Sequence, residues 1–206
     1  MRTTKLLKTA MAGAVALLAA CNDSTGGSGT GPGSLSFSYS GDRVGSYSAS
    51  GTYRPRGSSF DKVPFAVGVR SSGSDLAVLS YQPVTSTTGD MVLLAVSGVS
   101  QTGSYSLASD NCGSNDCPLA LLLFDTNPDL EEDDSQVFAF SSGTLNVTSI
   151  SSGRMTGTFS GTAETFFADS VITISNGSFD LPVRSGGVLA TRSKAERQLS
   201  RHAKPE

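Results

Sequence analysis

The 206-residue sequence predicts one all-β domain, either a single antiparallel β-sandwich or an up-and-down β-barrel. Three observations predict it. Apolar residues recur at every second position through much of the centre, which places them on one face of a strand. The remaining apolar runs are short and bounded by Gly, Ser, Asn and Asp clusters. No stretch between residues 34 and 183 carries the three-to-four spacing of a helix. Ten to twelve strand-like segments result, the inventory of a sandwich or closed barrel.

The segments follow in order. Leu35, Phe37 and Tyr39 alternate with serines, and Tyr47, Ala49, Gly51 and Tyr53 repeat the pattern. Phe65, Val67 and Val69 do the same, as do Met155, Gly157 and Phe159, then Phe179, Leu181 and Val183. Such alternation predicts half-buried strands with one wet face. Residues 76–81, 91–96, 119–124 and 171–174 are apolar but for Ser80 and Thr173, so they are expected to be covered on both faces. Residues 136–140 read as a further strand after an acidic connection. Asn176-Gly177 reads as a tight turn between two strands. The fragment GSYS occurs at Gly45 and Gly103, but nothing around it repeats at a fixed period.

The N-terminus reads LLAACNDSTGGSGTGPG from Leu17. Arg2, Lys5 and Lys8 precede an apolar stretch over 9–20. About 12 apolar residues are too few to span a bilayer, and a charged segment before a short apolar core is an export signal. Leu18, Ala19, Ala20 and Cys21 form an aliphatic-small-small-cysteine box that closely resembles the bacterial lipoprotein signal. That resemblance implies cleavage before Cys21 and acylation of its thiol, the one strong nucleophile in this window. The division expected is a signal over 1–20, a lipidated Cys21 with a Gly/Ser tether to 33, the β domain over 34–183 and a basic tail over 184–206. A dozen Gly/Ser-rich residues reach roughly 20 Å as a flexible coil. Resemblance to enterobacterial lipoproteins adds that Asn22, rather than an aspartate, after Cys21 implies the outer membrane where the host has two.

Charge is unevenly spread. Residues 35–183 hold 6 basic and 15 acidic side chains, near −9, whereas the whole chain is −3. A body this acidic does not bind nucleic acid through its phosphates. The balance lies in 184–206, where six Lys or Arg face Glu196 and Glu206. Such a segment reads as a solvated tail, or as one that touches anionic head groups or wall polymer.

Cys112 and Cys117 lie in DNCGSNDCP. In an exported protein a local disulfide is the simplest reading, with free thiols the alternative. Four residues separate them, whereas redox pairs have two, and the sole histidine, His202, is far off in the tail. No cofactor is expected.

The C-terminal third reads SSGTLNVTSISSGRMTGTFSGTAE, then SVITISNGSFDLPV. It resembles a family of small bacterial lipoproteins of unknown function that share a lipobox, a Gly/Ser tether, a GTL-x-(I/V)-TS strand, a G-x-x-x-GTF strand and an NGSFD-x-P ending. The matching residues are Gly143, Thr144, Leu145, Gly153, Gly157, Thr158, Phe159, Asn176, Gly177, Phe179 and Pro182. The resemblance implies an envelope lipoprotein and no chemistry, because each residue reads as strand or turn.

Chemical candidates are few. Asp125, Asn127, Asp129, Glu131 and Asp133 have the alternate spacing of a calcium loop. Leu130 stands where the loop needs glycine, Gln136 where it needs glutamate, and Pro128 stiffens the turn, so 125–134 is expected to be a solvated acidic connection without metal. Nucleophilic catalysis lacks a histidine within the domain. Glu164, Asp169 and Asp180 lie near strand ends and are the candidates for a glycosidase pair, though no tryptophan is present to stack sugars. No residue is singled out as catalytic. A closed barrel of about eight strands would leave room for one small apolar ligand. That would be a calycin-like, lipocalin-like carrier, resembling that family in architecture only, as the glycine–tryptophan signature of the first strand is missing. The function expected is a lipid-anchored, non-catalytic binding or interaction module. The alternatives are a structural envelope component and, less favoured, an enzyme on envelope polymer. The expected partners are the membrane, through the lipid, and either a small apolar ligand or another envelope protein.

Overall fold

A computed structural model describes residues 31–56, 59–60, 63–70, 75–108, 118–126, 136–151, 153–165 and 169–185. These residues form strands and no helix. In chain order the strands are β1 (Gly33–Gly41), β2 (Gly45–Gly51), β3 (Pro55–Arg56), β4 (Ser59–Phe60), β5 (Phe65–Arg70) and β6 (Leu76–Pro83). They continue as β7 (Gly89–Val96), β8 (Gly103–Ser106), β9 (Leu119–Thr126), β10 (Gln136–Ser151), β11 (Arg154–Thr165) and β12 (Val171–Ser185).

Seven strands close a barrel. Its order is β11-β10-β9-β7-β6-β5-β12, and β12 pairs back onto β11. Two long strands make the closure possible. One edge of β12 pairs with β1 through residues 172–180 and then with β5 through 183–185. One edge of β10 pairs with β9 through 136–139 and with β8 through 144–147. The β5–β12 contact is parallel, an exception to the antiparallel pattern expected, because both strands run toward the same barrel end there. The barrel thus has one wall of β2-β1-β12-β11-β10-β8 and another of β10-β9-β7-β6-β5. Register shifts at Phe140/Ser142 and Val147/Ser149 of β10 bend that strand between the walls.

Leu35, Phe37 and Tyr39 of β1 point inward with Tyr47, Phe124, Phe138, Phe140, Phe159 and Phe179. These rings pack on one another inside the barrel. Phe37 lies 5.1 Å from Tyr47 and 5.7 Å from Phe159, centroid to centroid, and Phe124 lies 5.1 Å from Tyr39 and 5.7 Å from Phe138. Each fully buried side chain of this size stabilises the fold by about 1.5–3 kcal/mol. Ser80 is the one wholly buried polar residue among those described. Its hydroxyl bonds Tyr47 Oη at 2.8 Å and donates to the Phe65 carbonyl at 3.0 Å, so β2 is tied to the far wall.

A second apolar cluster covers the outer face of β5, β6, β7, β9 and β10. Registers align it in rows, Phe65–Tyr81–Met91–Leu123–Val137 and Val67–Leu79–Leu93–Leu121–Ala139. Residues 76–81, 91–96 and 119–124 are therefore covered on both faces, as their sequences imply.

Three expectations are corrected. β5 is buried on both faces instead of one, because Ala66 and Gly68 turn their small faces inward. Residues 171–174 have one wet face, with Val171 and Thr173 exposed, since this part of β12 belongs to the wall whose outside is solvated. Asn176-Gly177 does not turn the chain. β12 runs through it with one extra residue, because Ser175 and Ser178 pair with Ser38 and Ser36 of β1. Asn176 takes the left-handed conformation at φ 54°, and the pair forms a β-bulge that kinks the strand.

Candidate binding surface

The outside of the β2-β1-β12-β11-β10-β8 wall is built from the residues that alternate with the core. Registers bring Ser48, Ser36, Ser178, Thr158, Asn146 and Ser104 into one line across six strands. A second line holds Ser46, Ser38 and Ser175, and Ser160, Thr144 and Ser106 continue it beyond the bulge. A third joins Ser40, Thr173 and Thr162 to Ser142. These three lines form an uncharged lattice, mostly of short hydroxyl groups, with a strand spacing of about 4.8 Å, and the next line, Ser34–Asp180–Thr156, carries the Arg154–Asp180 ion pair. Some neighbours satisfy one another, as in Ser36 Oγ to Ser178 Oγ at 3.1 Å and Thr148 Oγ1 to Thr156 Oγ1 at 3.1 Å. Ser104 Oγ donates to Asn146 Oδ1 at 3.4 Å.

The bulge gives this face relief. A Cβ at Gly177 would stand 2.3 Å from the Phe159 carbonyl oxygen, so glycine is what lets β12 approach β11 there. Beside the kink lies an open depression of about 490 Å³, lined by Thr144, Asn146, Thr158, Ser160, Asn176 and Ser178, with Phe159 and Gly177. Two amides and four hydroxyls can donate and accept there, and no charge lines it. That chemistry suits an uncharged polar partner.

At one barrel mouth Arg43 reaches from the β1–β2 turn across the opening. It donates to Asp125 Oδ2 and to Gln136 Oε1, each at 3.1 Å, and lies 4.4 Å from the Phe124 ring centroid. Burial opposes its charge, but the bonds to Asp125 and Tyr39 outweigh that and raise its pKa. Asp90 Oδ1 accepts from the Asp125 amide at 2.9 Å, and burial raises the Asp90 pKa. Burial pushes the Tyr47 hydroxyl far above the usual phenol range, so it is a neutral donor.

The residues singled out in the sequence fall as follows. Leu18, Ala19, Ala20 and Cys21 lie outside the described residues, as do Cys112, Cys117 and the tail from 186. Of the acidic connection, Asp125 and Gln136 are described, and Asp125 faces Arg43. Among the described residues no group of three metal-binding side chains comes together. Glu164, Asp169 and Asp180 do not form one site. Asp180 pairs with Thr156 and Glu164 with Val171 along the β11–β12 ladder, about eight residues or 26 Å apart. A glycosidase pair needs about 5–9.5 Å. Asp180 instead accepts from Arg154 Nε at 2.6 Å, and Glu164 from Ser141 Oγ at 2.7 Å.

The hydroxyl lattice was present in the sequence as serines between core residues. What the sequence lacked was the register that sets six strands side by side. Once the geometry is known, comparison adds nothing further: no family model matches the chain, and neither a curated protein nor a solved structure is similar to it.

Proposed function

We propose that this chain is a lipid-anchored protein of the cell envelope whose β domain is a non-catalytic interaction module. The observation that carries this reading is the pairing of an interior of buried, mutually packed rings with an outer face that holds an uncharged polar depression. The filled interior argues against carriage of an apolar ligand, which needs an empty, apolar cavity. The hydroxyl face with its depression is the contact surface in this reading, and its partner is an uncharged polar component of the envelope. The Leu18–Cys21 box and the resemblance of residues 143–182 to small bacterial lipoproteins support the anchored location.

A photo-crosslinking residue at Thr158, in intact envelopes, tests the surface. The reading expects discrete adducts from Thr158 and none from Ser86, an exposed residue of the β6–β7 turn. No adduct from Thr158, or equal adducts from both, would count against it.

A further inference from the structure

Among the described residues, the hydroxyl wall ends in two edge strands, β2 on one side and β8 on the other. An edge strand offers unpaired N–H and C=O groups to any extended chain, and folded proteins usually blunt such edges with charge, proline, bulges or short length. β8 is blunted by its length of four residues. β2 is not blunted. It runs seven residues, GSYSASG, with no charged side chain and no proline. It pairs with β1 from Gly45 to Gly51 without a register shift. Among the described residues that is its only ladder, and none of its backbone groups bonds elsewhere. Ser46, Ser48 and Ser50 are exposed.

The sequence of β2 is also nearly its own reverse. Read from Gly51 back to Gly45 it is GSASYSG, which differs from the forward reading only by exchange of Tyr47 and Ala49. Two copies laid antiparallel, with Ser48 against Ser48, therefore match along the whole strand. Gly45 faces Gly51, Ser46 faces Ser50 and Tyr47 faces Ala49. No like charges meet across such a seam, and a large ring beside a methyl group suits side chains that share one face. Tyr47 is already held on the inner face by its 2.8 Å bond to Ser80. Moving the centre to Tyr47 would set ring against ring and leave Ser50 and Gly51 outside the pairing.

We propose that the free edge of β2 is a dimerisation edge, and that its occupant is β2 of a second copy of this chain. The interface is isologous, about a twofold axis that passes between the two Ser48 residues. It adds about six to eight backbone hydrogen bonds and continues the sheet from one copy into the other. The line through Ser48, Ser36, Ser178 and Thr158 then meets its symmetry mate end to end, which doubles the breadth of the hydroxyl surface. One strand pair buries little area, so the dimer depends on concentration. Such pairing needs neither the lipid anchor nor the partner proposed above.

Thiol cross-linking of the full chain in intact cells tests both the pairing and its register. In this register Ser48 lies about 5 Å from its mate, and Ser46 about 5 Å from Ser50 of the second copy. Ser46 and its own mate are offset by four residues, roughly 13 Å. A reagent that spans about 5 Å should give dimers with Ser48→Cys, and with Ser46→Cys and Ser50→Cys chains expressed together. Their yield should be severalfold above that of Ser46→Cys alone and of the parent, which reports the native cysteines. Equal yields from all four, no dimer from any, or Ser48→Cys adducts with a different protein in place of the dimer would overturn the proposal. Charge at the seam tests the same contact. Ser48→Lys and Ser48→Glu chains, each shown to be folded by circular dichroism, should be monomeric in native mass spectra at a concentration where the parent shows dimer. Mixing the two should restore the dimer. Dimers that persist in both single variants, or a mixture that restores none, would overturn it.

Discussion

Replacing Phe37 by alanine tests the filled interior. Phe37 is 3% exposed and sits among Tyr39, Tyr47 and Phe159, with centroids 6.0, 5.1 and 5.7 Å away. Loss of a buried Phe side chain costs about 3–5 kcal/mol, more where the void cannot collapse. Here β1 is pinned by ladders to β2 and β12, so the void persists and the upper half of that range applies. For a domain of about 150 residues each kcal/mol lowers Tm by about 2–4 °C, so the loss is roughly 10–20 °C. Chemical unfolding followed by far-ultraviolet circular dichroism measures it, since the chain has no tryptophan. A dry apolar cavity binds benzene, so benzene should raise the Tm of the variant and not of the parent. Phe37→Leu leaves a smaller void and gives the same test if the alanine variant does not fold. A cost below about 1.5 kcal/mol, or benzene stabilising the parent equally, would mean that the interior already has room, and the carrier reading would return.

Other substitutions probe the remaining links. Tyr47→Phe removes the bond to Ser80 but leaves Ser80 donating to Phe65, so it should cost about 1 kcal/mol in chemical unfolding. Gly177→Val should lower Tm by several degrees, because its Cβ would stand 2.3 Å from the Phe159 oxygen; an unchanged Tm would show that the bulge is not held by that contact. Asp90 has a folded pKa above its ordinary 3.8, first through burial and then through the Asp125 charge. Folding therefore favours its protonated form, a contribution that is full below 3.8 and lost as pH rises through the folded value. Asp90→Asn keeps the Oδ1 acceptor for Asp125, so its Tm advantage over the parent should be absent in acid and grow toward neutral pH. A constant difference across the scan would contradict this.

The strands themselves were readable because period-two alternation is local. Leu35, Phe37 and Tyr39 declare their inward face without knowledge of any partner. The doubly apolar runs 76–81, 91–96 and 119–124 likewise announced two covered faces. Closure was not readable. It depends on β12 serving β1 and β5 on one edge, and such a long-range pairing leaves no mark on adjacent residues. Asn176-Gly177 was misread for a related reason. The same left-handed residue followed by glycine serves a hairpin turn or a bulge, and only the partners on both sides decide which. The candidate surface was half visible: the serines marked a wet face, whereas their alignment with Thr158 and Asn146 required the register.

The most direct measurement of the account is native mass spectrometry of the protein released from membranes, before and after mild unfolding. The account predicts residues 21–206 plus acyl groups on Cys21, less two protons if Cys112 and Cys117 are bonded, and no further mass lost on unfolding. A discrete small molecule released as the barrel opens would contradict the filled interior and make this protein a carrier.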